Sequence, residues 1–77
     1  MLALVTTARD PSEAIRIEMA RARMTGTKTA QRAGIAYSTW RRRMDNPKTW
    51  RIGELRKVAA ALDIPLSRLT AEEDEQR

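Results

Sequence analysis

Helix punctuation is the feature that most narrows what this chain can become. Asp10-Pro11, Thr25-Gly26, Gly34, Asn46-Pro47 and the pair Asp63 and Pro65 recur at short intervals. Aspartate and threonine suit an N-cap, proline the first helical position, and glycine the left-handed residue just past a helix end. The residue before a proline is biased away from helix. Between these marks the chain is rich in Ala, Arg, Leu and Glu, all good helix formers. β-branched alternation is confined to residues 4–7. The pattern predicts an all-α fold of five short helices in one compact domain, with room for a short N-terminal strand or arm.

The first helix is expected to start at Asp10, with Asp10 as N-cap, Pro11 at the first position and Glu13 completing a capping-box pattern, and to end near Met24. Ile15, Met19 and Ala22 share one face and point inward, with Glu13, Arg16 and Arg23 away from it. The second helix covers Gly26–Ala33, with Thr25 as N-cap and Gly34 as its stop. The third covers Tyr37–Asp45 and buries Trp40 and Met44, four residues apart. The fourth covers Ile52–Leu62, with Ile52, Leu55, Val58, Ala59 and Leu62 as its apolar face and Trp50 plugging the core ahead of it. A last turn or two at residues 66–71 buries Leu66 and Leu69. The chain thus divides into an N-terminal arm at 1–9, a helical domain at 10–70 and an acidic tail at 71–77. The arm is either disordered or, the reading favoured here, given an ordered role by Leu2, Leu4 and Val5 as a small strand or apolar arm that pairs with another copy; the surface for a second copy is either this arm or the region of residues 66–69. The tail is expected to fray.

What the chain lacks limits its chemistry. A domain of 77 residues has a thin core, burying only about 60% of the surface its unfolded chain exposes. With no Cys and no His, it has neither a disulfide nor a Cys-based zinc site, and it lacks the commonest general base and metal ligand. No acidic spacing points to a carboxylate metal site, and no glycine-rich loop is built for phosphates. An enzyme, a metal and a cofactor are therefore not expected, and neither is a small-molecule ligand. Net charge is +5, of which the tail contributes −3 and the rest of the chain +8. Such a balance favours polyanions, either nucleic acid or an anionic membrane surface. The apolar run at residues 1–5 is far short of the roughly 20 residues of a membrane span, and it lacks the features of a signal peptide. The expected location is the cytoplasm of a bacterial host cell.

The segment around Gly34 carries the most information. Ala30, a small residue, stands four before the glycine; Ile35 follows it and faces inward; Trp40, six after it, anchors the next helix. Residues 26–45 read GTKTAQRAGIAYSTWRRRMD and residues 46–69 continue NPKTWRIGELRKVAAALDIPLSRL. This pattern resembles the lambda-repressor/Cro-like helix-turn-helix family of phage and bacterial regulators, over residues 12–69. The resemblance implies that the second helix braces on the phosphate backbone and the third lies in the major groove. It places Tyr37, Ser38, Arg41 and Arg42 at base edges, with Ala36 beside them. It places Thr25, Thr27, Lys28, Thr39, Arg43, Lys48 and Arg51 at phosphates. Four positions depart from the family: Gly26 stands where Gln is frequent, Thr29 where an apolar residue is usual, Ala36 where Ser or Thr caps, and Arg43 at a late apolar position whose packing passes to Met44.

The implied function is sequence-specific binding of a double-stranded DNA operator by a homodimer. It is the action of a Cro- or repressor-type transcriptional regulator that occludes a promoter. Blander readings stand beside this one. The run of Arg41, Arg42 and Arg43 also fits a solvated helix face, Trp40 is read as core rather than a base-stacking platform, and Lys28 and Lys48 also fit ordinary surface lysines. The alternative from another class is a protein-binding helix-turn-helix module, an antitoxin or phage adaptor, whose basic face meets an acidic partner.

Overall fold

The computed structural model describes residues 9–70. Four α-helices follow one another: α1 (Pro11–Ala22), α2 (Gly26–Ala33), α3 (Tyr37–Asp45) and α4 (Ile52–Leu62). Single 3₁₀ turns follow α3 at Pro47–Thr49 and α4 at Leu66–Arg68, and no strand is present among the described residues. Among the described residues the fold is all-α, with four helices rather than five. The stretch after Pro65 makes only a tight turn, closed by the Leu69 N–H on the Leu66 carbonyl at 2.8 Å. Nucleating a separate α-helix is costly, and i→i+3 bonds close so short a stretch without it. The expectations for the arm at 1–8 and the tail at 71–77 lie outside the described residues.

Each helix start has a local cause. At α1 the Asp10 carboxylate accepts from the Glu13 N–H at 2.9 Å, and Pro11 occupies the first position. Glu13 accepts from the Arg9 N–H at 2.7 Å, one residue upstream of the bond a capping box would make. At α2 the Thr25 hydroxyl accepts from the Lys28 N–H at 3.1 Å. At α4 the Glu54 carboxylate accepts from the Arg51 N–H at 3.0 Å. The reciprocal half of a capping box is absent there, because an arginine side chain has no acceptor. The start of α3 has no side-chain cap, as Ala36 dictates.

Three of the four helices end alike. Arg23, Gly34 and Asp63 each adopt a left-handed conformation, at φ 56°, 73° and 59°. The next residue then turns back: Met24, Ile35 and Ile64 donate to the carbonyls of Met19, Ala30 and Ala59, each at 3.0 Å. All three of these residues pack against the core. This is the Schellman closure, whose hydrophobic contact folds the chain over the helix end. Only Gly34 adopts the left-handed conformation without a Cβ penalty. α3 ends instead at Asn46, ahead of Pro47.

α4 is the hub, packing on α1, α2 and the Leu66–Arg68 turn. Ile15, Val58 and Leu69 are fully buried, among Ala14, Ala30, Ala33, Trp40, Met44, Trp50, Leu55, Ala59 and Leu62. Each large aliphatic side chain so buried contributes about 1.5–3 kcal/mol. Three expectations are corrected. Ile52 is 54% exposed; the first turn of α4 begins beyond the core, and Trp50 closes that end in its place. Leu66 is only half-buried, since the turn directs Leu69 inward instead. Ala22 is exposed, because the buried face of α1 consists of Ser12, Ala14, Ile15 and Glu18, with Met19 half-buried beside it.

The polar members of that face are each paired, as burial of polar groups requires. Trp50 Nε1–H donates to Ser12 Oγ at 3.0 Å, and Ser12 Oγ–H donates to the Arg43 carbonyl at 3.3 Å. This chain of bonds joins α1, the end of α3 and the lead into α4. Glu18 accepts two bonds from Arg68, at 3.1 and 3.2 Å, which pins the last turn to α1. Thr29, fully buried on α2, donates its hydroxyl to the Thr25 carbonyl at 2.8 Å. That bond lets a threonine stand at an otherwise apolar position. The two indoles meet edge to face, with centroids 5.8 Å apart and planes at 79°.

Candidate nucleic-acid interface

α3 divides into a holding side and an open side. Trp40 and Met44 are buried, and Arg43 is held by a two-pronged ion pair to Glu54: Nε donates to one carboxylate oxygen at 2.9 Å and Nη2 to the other at 3.1 Å. Tyr37, Ser38, Arg41 and Arg42 are all exposed, Tyr37 at 48%. They lie on the first two turns of α3, on the surface that its anchors leave clear. With Ala36 offering no cap, the N–H groups at the start of α3 have no side-chain acceptor from their N-cap. An exposed phenol, a hydroxyl and two guanidiniums beside uncapped amides make a surface of hydrogen-bond donors and positive charge.

The expected phosphate-binding residues surround α3, and links in the fold place most of them. Thr25, Thr27 and Lys28 are exposed at the start of α2. That start lies directly against α3: a Cβ on Gly26 would stand 3.1 Å from Trp40 Nε1. Lys48 is exposed in the turn after α3 and lines a recess with Arg9, Asp10 and Asp45, two basic and two acidic side chains in all. Arg51 is exposed, and Glu54 ties its backbone to Arg43. Thr39 and Arg43 are half-buried. The guanidinium of Arg43 spends two nitrogens inside the molecule, so it serves the joint between α3 and α4 first.

The Arg43–Glu54 pair also has an electrostatic signature. The hydrogen bond from Arg43 holds the Glu54 carboxyl below the usual carboxylate range; partial burial opposes this and the Arg51 N–H reinforces it. The same bond raises Arg43 above its ordinary value. Glu54 therefore anchors two helices at once: it caps α4 and clamps the last turn of α3. Like Ser12 and Glu18, it carries no structural role that the sequence pattern alone reveals. A glutamate three residues after Arg51 at a helix start was the available signal, but Arg43 lies eleven residues away.

Among the described residues no group of three or more carboxylates is placed to hold a metal ion, and no helix is long and apolar enough to cross a membrane. In comparisons with known proteins, no family model, curated protein or solved structure matches this chain.

Proposed function

We propose that this chain is a helix-turn-helix DNA-binding protein of the lambda-repressor/Cro kind. It would act in a bacterial cytoplasm as a homodimeric regulator that occludes a promoter. α2 is the bracing helix and α3 the recognition helix. The observation that carries the reading is the division of α3: Trp40, Arg43 and Met44 hold it, while Tyr37, Ser38, Arg41 and Arg42 are left exposed. Such a helix can enter a major groove without disturbing its own support.

Arg41 or Arg42 would donate a pair of hydrogen bonds to guanine O6 and N7, each such contact discriminating by about 1–3 kcal/mol. Tyr37 and Ser38 would reach neighbouring bases. Thr25, Thr27, Lys28, Thr39 and Arg51 would set register on the phosphates, as backbone contacts do. Lys48 would join them from the turn after α3, and Arg43 acts through the α3–α4 joint. One recognition helix reads only a few base pairs, so two copies would read half-sites about 34–36 Å apart.

Selection from a random duplex pool at near-physiological salt tests this. A palindromic consensus is expected, and Arg41→Ala and Arg42→Ala should lower the ratio of selected to random affinity. A pool that shows no enrichment would move the reading to a protein partner.

A further inference from the structure

Two polar side chains are buried on α1, and each reaches a different part of the molecule. Glu18 takes Arg68 of the last turn, whereas Ser12 takes the far end of α3. Ser12 is 1% exposed and is the second residue of its helix. An alanine would suit a helix better, and burying a hydroxyl without partners costs free energy. No local need calls for serine here, because Asp10 already caps α1. The bonds of Ser12 can run in only one direction. An indole N–H only donates, a carbonyl only accepts, and a hydroxyl has one proton to give. Trp50 Nε1–H therefore points at Ser12 Oγ, at 3.0 Å, and the Ser12 proton is committed to the Arg43 carbonyl, at 3.3 Å.

That carbonyl belongs to the last turn of α3, where helix carbonyls lack intrahelical partners. It also accepts the Asn46 N–H at 3.2 Å, from the residue that ends the helix. Ser12 thus supplies its bond from outside. The tryptophans then close a ring of contacts. Trp40 meets Trp50 edge to face, Trp50 bonds Ser12, Ser12 bonds Arg43, and α3 itself leads from Arg43 back to Trp40. Trp40 and Arg43 are three residues apart, about 4.5 Å along the helix axis. Arg41 and Arg42 lie between them in the chain, and both are exposed. Glu54 grips the Arg43 guanidinium separately. α1 therefore takes this residue by its backbone and α4 by its side chain. Two grips on one residue fix the rotation of α3 about its own axis as well as its place.

We infer that Ser12 is a positioning residue for α3, whose hydroxyl locks the helix at the angle from which Arg41 and Arg42 meet a target. Ser12 touches no ligand itself. That the two arginines read bases rests on the proposed DNA reading; the lock on α3 does not. A binding group has to be held within about 0.5 Å and 10–20° of its productive geometry, and a paired contact to a base edge is of this kind. Phosphate contacts carry no sequence information. Release of the lock therefore lowers discrimination between sequences and leaves affinity for random duplex nearly unchanged.

The test compares Ser12→Ala with Glu18→Gln, which weakens the other long-range polar tie of α1. Both are checked for fold by circular dichroism. Ser12→Cys, which keeps the shape and only a weak donor, stands in if Ser12→Ala does not fold. Backbone amide exchange is followed by NMR in the free protein, and affinity is measured for the selected and the random duplex. Ser12→Ala is expected to speed exchange in α3 about tenfold relative to α2. It is also expected to lower the ratio of selected to random affinity about tenfold, the worth of one base contact. Glu18→Gln is expected to lower the urea midpoint and leave both readouts unchanged. Unchanged exchange in α3 overturns the lock. Faster exchange in α3 with an unchanged ratio overturns the positioning role and leaves the DNA reading intact. Equal effects from Glu18→Gln make Ser12 a stability residue only and overturn the inference. Faster exchange in α3 with no consensus from the random pool upholds the lock and overturns the DNA reading.

Discussion

α2 and α3 are consecutive and nearly equal in length, at eight and nine residues, yet they are held in opposite ways. α2 is capped by Thr25, stopped by Gly34, and seated through Thr29, Ala30 and Ala33, three small side chains. Small residues bring backbones close, and α2 packs more extensively on α4 than any other pair of elements. α3 begins without a cap and is seated by one indole, one methionine and one ion pair. The lesson is a trade-off between area and reach. Many small contacts place a helix closely but consume its surface, whereas a few large anchors place it and leave most of its surface available.

The sharpest way to break this contrast is to remove an anchor. Trp40→Ala should cost about 3–5 kcal/mol of unfolding free energy, measured by urea denaturation followed by circular dichroism. A much smaller loss would mean that α3 is not held by its large side chains. Giving α3 the cap it lacks should bring it closer to α2. Ala36→Ser is expected to add about 1 kcal/mol and, on the proposed DNA reading, to weaken duplex binding by occupying one of the open α3 amides. Stabilisation with unchanged binding would show that the open N–H groups have no part in recognition.

The ion pair sharpens the comparison through pH. The folded Glu54 carboxyl titrates below its ordinary unfolded value of 4.5. Its bond to Arg43 therefore contributes fully above that value and is lost as pH falls through the folded pKa. Glu54→Gln should flatten this acid limb of the stability curve, and an unchanged limb would assign it to other carboxylates. The smallest expected effect falls on the open side. Arg41→Ala should leave stability within about 0.5 kcal/mol while lowering operator discrimination. A large loss of stability would mean that the exposed face also supports the fold.

Much of this architecture is legible in the sequence because its causes are local. The bounds of α2, α3 and α4 follow from Thr25, Gly34, Asn46-Pro47 and Asp63, each acting on its own neighbours. The exposed residues of α3 follow from the spacing of Trp40 and Met44. What escapes is long-range. Ser12 and Glu18 look like surface residues until Trp50 and Arg68 arrive from 38 and 50 positions away. Arg43 reads as one of three equivalent arginines until Glu54 selects it. Ile52 fits its stripe by period, but period cannot say where the core ends. Gly26, Thr29 and Ala36 read as departures from a pattern; packing explains the first, an internal hydrogen bond the second, and the third stands as an open helix end.

The separation of Trp40, Arg43 and Met44 from Tyr37, Ser38, Arg41 and Arg42 has a consequence for how such a protein changes over generations. Substitutions at the four exposed positions leave the core packing and the ion pair untouched. On the proposed DNA reading, stability and base recognition therefore lie on different residues of the same nine-residue helix. On that reading, a lineage carrying this chain can drift to a new target by single steps without passing through an unfolded ancestor. The same partition lets an engineer rewrite those four positions as a library on a constant support.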